Sequence, residues 1–144
     1  MGAHPYWYFV NYKPDINQAL QQLRQREFHA GRYNPVLPFP FEAPLESPRP
    51  AHKSIEEALE AAAEDGTRSI LDIEKVSDTP DFCVAAPLNP EVIEDLYNTT
   101  EPTKEMVENN MDFLGDIERG HCVYIILYRD GNPDEIFFGG YSFD

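Results

Sequence analysis

The sequence predicts an α+β fold: a single domain, residues 1–144, in which a mainly antiparallel sheet of about five strands carries about four helices. The expected order is β-α-arm-α-ββ-αα-ββ. Three observations lead there. Short β-branched and aromatic runs come in neighbouring pairs separated by turn residues, which favours hairpins over long crossovers. The helical stretches open on recognisable caps. A chain of 144 residues with 42% hydrophobic and 12% aromatic content has enough apolar surface for one core, and no internal repeat divides it. With so few crossovers, the helices are expected on one side of the sheet.

Tyr6-Trp7-Tyr8-Phe9-Val10-Asn11-Tyr12 has the composition of a central strand. Lys13-Pro14 ends it, and Asp15 caps a helix with Ile16, Ala19, Leu20, Leu23 and Phe28 inward, Arg24 and Arg26 outward, and Gly31 as its stop. Six of the 13 prolines fall between Pro35 and Pro50. So many fixed φ angles exclude a helix or a central strand. With Val36, Leu37, Phe39 and Phe41 in it, this segment is expected to lie on the body as an extended arm instead of linking two domains.

Ser54-Ile55-Glu56-Glu57 is a capping box that opens the next helix, with Ile55, Ala58, Leu59, Ala62 and Ala63 inward and Gly66 at its end. Arg68–Val76 and Phe82–Ala86 read as two strands of a hairpin around Thr79-Pro80-Asp81. Asn89-Pro90 starts a short helix, and Thr100 or Thr103 starts another that runs to Gly120. Cys122–Arg129, a turn at Asp130-Gly131 and Glu135–Phe138 form the clearest hairpin, expected at the sheet centre.

Charge is distributed unevenly. Residues 1–41 hold four bases against two acids, or +2, while the remainder holds 24 acids against seven bases, or −17, within a formal total of −15. An acidic body repels phosphate backbones and anionic lipid, so neither nucleic acid nor a membrane is an expected partner. A basic protein partner suits it. No apolar run of 18 residues and no leader pattern is present, and the expected setting is the cytoplasm of a bacterial type of cell. Cys83 and Cys122, each inside an apolar run, are expected to be free core thiols.

Phosphate-binding glycine loops, His-Glu-x-x-His and Cys-x-x-Cys are all missing, so no cofactor and no metal is expected. His4, His29 and His52 have no ligand-like spacing. Gly140-Tyr141-Ser142 lacks the second glycine and the helix that a nucleophile elbow requires. His121 and Cys122 are adjacent on a strand entry, so their side chains diverge and cannot form a nucleophile–base pair.

Two sets of residues carry the functional expectations. Glu56, Glu57, Glu60 and Glu64 on the capped helix form a candidate acidic face for a basic partner, the leading reading being a non-catalytic binding protein. His29, Arg32 and Tyr33 at the end of the first helix, together with Asp72 and Glu74 on alternate positions of the 68–76 strand, form a candidate pocket beneath the proline-rich arm. The pocket supports the alternative reading, a small cofactor-independent enzyme or small-molecule binder. The surplus of Tyr and Phe in the terminal strands would line a groove for a ligand or peptide. An exposed edge strand would leave self-association open.

Overall fold

The closing hairpin organises the molecule. Asp130 and Gly131 both adopt positive φ, 53° and 80°, the two-residue turn whose twist matches antiparallel strands. It joins β4, Cys122–Arg129, to β5, Asn132–Tyr141. The computed structural model describes residues 4–33, 52–62 and 66–143, and the expected arm at 35–50 and Glu64 lie outside them. Among the described residues no helix is long and apolar enough to cross a membrane.

Three further strands complete a five-stranded sheet: β1 Pro5–Asn11, β2 Lys75–Val76 and β3 Val84–Pro87, in the spatial order β1-β5-β4-β3-β2. β1 and β4 flank β5 antiparallel through seven and eight residue pairs. β3 joins β4 in parallel through three pairs, and β2 joins β3 in parallel through two. The sheet is therefore mixed, with the antiparallel half much the longer. β4 and β5 slip register between Leu127 and Tyr128, where Pro133 enters the ladder; a bulge is the place a strand tolerates a residue without an N–H.

Strand alternation sends neighbouring side chains into two cores. Tyr6, Tyr8, Cys122, Tyr124, Ile136 and Phe138 face α1, Ile16–His29, and α2, Ile55–Ala61. Phe9, Val123, Ile125, Leu127 and Phe137 face α3, Pro90–Tyr97, and α4, Lys104–Asn109. The α-helices thus cover both faces of the sheet, not one side as expected. The chain reaches the second face because α3 and α4 form the crossover between parallel strands β3 and β4.

The predicted caps form. Asp15 accepts from Gln18 N, Ser54 from Glu57 N, Asn89 from Glu91 N and Thr103 from Met106 N. The predicted 68–76 strand does not. Ile70–Asp72 is a 3₁₀ turn, with Ile70, Leu71, Asp72 and Ile73 all buried, and only Lys75 and Val76 pair. A run buried on every side has no solvent face for alternation to report. Since β2 and β3 run parallel, they are not a hairpin either. The helix expected up to Gly120 stops at Asn109; Asn110 is extended, its carbonyl accepts from the Tyr97 hydroxyl at 2.5 Å, and a 3₁₀ turn, Asp112–Asp116, follows. β1 is an edge strand instead of a central one, with Trp7 exposed.

Gly140 is fixed by proximity. A Cβ there would lie 2.6 Å from the Tyr6 hydroxyl oxygen and 2.7 Å from the His121 carbonyl oxygen, and the second of these is backbone. Gly140→Ala is expected to lower unfolding free energy by about 1–3 kcal/mol in urea denaturation. Adding Tyr6→Phe should restore only part of it, because the His121 carbonyl stays in place. An unchanged midpoint for Gly140→Ala would contradict this packing.

Candidate functional site

α1 carries an apolar stripe of Leu20, Leu23 and Phe28, and the rows beside it bring Gln21, Arg24, Gln25 and His29 toward α2. Between them lies a cleft of about 540 Å³, closed on the other side by Lys53, Ser54, Ile55, Glu56 and Leu59 and at one end by Glu74. Gln21 Nε2 donates to the Glu74 carbonyl at 2.8 Å, which ties that end to α1. Arg24 is drawn inward: Nη1 donates to Gln21 Oε1 at 2.9 Å and Nη2 to the Leu71 carbonyl at 3.1 Å. Burial pushes the Arg24 pKa down, with Glu74, Asp72 and Glu56 acting against it. The sequence reading turned Arg24 to solvent; its place directly after Leu23 is the signal that it borders the buried stripe.

Of the predicted pocket, His29 and Glu74 share this cleft. The other three residues are engaged elsewhere. Arg32 grips Glu27 with two bonds, Nε to Oε1 at 2.8 Å and Nη2 to Oε2 at 2.6 Å. Glu27 is only 5% exposed and also accepts from Arg26 Nε at 3.0 Å. Fully buried Tyr33 stacks on Phe28 with ring centroids 5.9 Å apart, and its hydroxyl lies 2.9 Å from His52 Nδ1. Glu27 was legible but missed: it falls at the i+7 position from Leu20 and i+4 from Leu23, on the buried stripe itself.

Asp72 does not share a strand face with Glu74. It folds back inside its own turn, where Oδ1 accepts from Thr67 N at 2.8 Å and from Thr67 Oγ1 at 2.7 Å. Because Thr67 donates its hydroxyl proton to Asp72, the 2.8 Å contact between Thr67 Oγ1 and Ser69 Oγ has Ser69 as donor. Burial raises the Asp72 pKa above the ordinary 3.8, and the bonds from Thr67 and the Arg68 amide only partly reverse this.

The cysteines are free, and burial pushes the Cys83 thiol up to about 11 and Cys122 higher still, so neither is a thiolate nucleophile near neutral pH. His121 turns to Glu118, with Nε2 3.5 Å from a carboxylate oxygen. Among the described residues no cluster of His, Cys, Asp or Glu has the makings of a metal site.

The other side of the sheet also carries an acidic surface. Residues 88–121 hold nine acids against Lys104 and Arg119, and all nine are exposed: Glu91, Glu94 and Asp95 on α3, Glu105 and Glu108 on α4, and Glu101, Asp112, Asp116 and Glu118 in the connections. Lys104 is directed back to the sheet, its Nζ 3.7 Å from Glu135 and 5.1 Å from the centre of the Phe9 ring. On α2, exposed Glu56 faces the cleft, and Glu57 accepts from Lys53 N at 3.0 Å, leaving Glu60 directed outward.

Compared with protein-family models, curated proteins and solved structures, the chain matches none.

Two outcomes follow for the buried carboxylates. Glu27→Gln is expected to lower stability by about 1–3 kcal/mol, because Arg32 loses its bidentate partner, and Glu27→Gln with Arg32→Gln should cost less than the two single changes added together. A thermodynamic cycle in urea measures both, and strict additivity would contradict the pairing. For Asp72 the folded pKa lies above the unfolded one, so its contribution is fully present below 3.8 and is lost as pH rises through the folded value. The stability of the wild type minus that of Asp72→Asn should therefore fall as pH is raised from 3.8 toward neutrality. A difference that grows over that range would mean that Asp72 is stabilised as the anion.

Proposed function

We propose that the protein is a non-catalytic binding protein whose α3–α4 layer engages a basic protein partner. The observation that carries this reading is the nine exposed carboxylates of residues 88–121, opposed there only by Arg119 and by a Lys104 turned toward Glu135. A surface of one sign accelerates encounter with a cationic partner and repels phosphate backbones and anionic lipid. Affinity needs apolar anchors as well. Two large exposed side chains are available on this side: Met106 on α4, 41% exposed, and Trp7, 47% exposed, which shares with Phe9 the sheet face that α3 and α4 cover. The role fits a cytoplasmic protein with reduced cysteines, and no cofactor takes part in it.

The alternative reading is favoured by one observation, the α1–α2 cleft that holds His29 and Glu74. With Arg32, Tyr33 and Asp72 engaged in bonds elsewhere, the cleft supports binding of a small molecule more than cofactor-independent catalysis.

The test is capture from native lysate on the immobilised protein, compared with a variant carrying Glu91→Gln, Glu94→Gln, Asp95→Asn, Glu105→Gln and Glu108→Gln. A basic protein should be retained at low salt, released at high salt, and held at least about tenfold less by the variant. Equal retention by wild type and variant, or no retained basic protein, would refute the proposal.

A further inference from the structure

We propose that the α1–α2 cleft is a binding site for a small zwitterion with an apolar body, of the amino-acid type. The inference rests on the small-molecule reading of the cleft and names its ligand class. Two cations, Arg24 and Lys53, and two carboxylates, Glu56 and Glu74, line one concavity of about 540 Å³, inside the range of about 300–1,000 Å³ that small-molecule sites occupy. These four would be expected to neutralise one another. Yet among the described residues neither cation comes within 4.0 Å of either carboxylate.

Of the four, Arg24 is held by other bonds. Arg24 is anchored to Gln21 Oε1 and the Leu71 carbonyl, and among the described residues its buried Nε–H finds no acceptor. Glu74 is stationed by the bond from Gln21 Nε2 to its carbonyl, with its side chain exposed. Both signs therefore stay available inside one cleft. A ligand with a single charge gains one attraction and meets one repulsion, whereas a ligand that carries a carboxylate and an ammonium on one short frame satisfies both. Phe28, Ile55 and Leu59 supply the wall for its apolar body, and Gln25 adds amide donors and an acceptor.

The experiment uses three probes on the full-length ¹⁵N-labelled protein: L-phenylalanine, phenethylamine and 3-phenylpropanoate, which share a ring and differ in charge. L-Phenylalanine should shift the Arg24 Nε–H resonance and the amides of Lys53 and Ile55 saturably. The amine and the acid should bind at least about tenfold more weakly, as should L-phenylalanine to Glu74→Gln and to Lys53→Gln, both substitutions at exposed positions. Amine or acid binding as tightly as L-phenylalanine overturns the zwitterion assignment alone. No saturable shift with any of the three probes up to about 10 mM overturns it together with the small-molecule reading of the cleft.

Discussion

Residues Ile136, Phe137, Phe138, Gly139 and Gly140 of β5 are all buried, and this double burial is the constraint on which the rest of the molecule depends. Adjacent side chains of a strand point to opposite faces, so five consecutive buried positions require a layer on each side of the sheet. Phe138 belongs to the core under α1 and α2, Phe137 to the core under α3 and α4. The two glycines that follow take no volume from either core: a Cβ on Gly139 would lie 2.6 Å from the Phe137 ring. The position of each helix, and the separation of charge between the layers, derives from this strand.

The α1 layer is held by polar groups as well as by its stripe. Glu27 gathers Arg26 and Arg32 at the end of α1, and Arg24 reaches the Leu71 carbonyl in the 3₁₀ turn that Asp72 closes by bonding Thr67. Arg24, which lines the cleft, is thus connected through this turn to the buried Asp72 carboxylate. Buried polar networks of this kind fix one arrangement of the chain where an apolar contact would permit several. The α3–α4 layer has no comparable network among the described residues. It is held by Ile93, Tyr97, Val107, Phe113 and Leu114, and directs its carboxylates outward.

Local chemistry was legible in the sequence wherever it was self-contained. The caps at Asp15, Ser54, Asn89 and Thr103 and the Asp130-Gly131 turn each depend on residues a few positions apart, and each forms. Features that depend on distant partners were harder to read. Ile70-Leu71-Asp72-Ile73 resembles a strand, but the Asp72 carboxylate competes for the backbone and bends it into a turn. Helices on both faces were foreshadowed by the unbroken apolar run Ile136-Phe137-Phe138, since a strand with one wet face alternates. Of the five residues expected in one pocket beneath the arm, His29 and Glu74 line the α1–α2 cleft, and the cleft's Arg24, Gln21 and Lys53 were not legible because only the packing of α1 on the 3₁₀ turn and on α2 brings them together.

The sheet divides the molecule into a mixed-charge side, with the cleft, and an acidic side. Titration of the ¹⁵N-labelled protein with a short oligolysine peptide at low salt probes this division. Shifts are expected to concentrate on residues 91–118 and to fade as salt is raised, with α1 unaffected. Shifts spread evenly over both layers, or centred on α1 and α2, would contradict it.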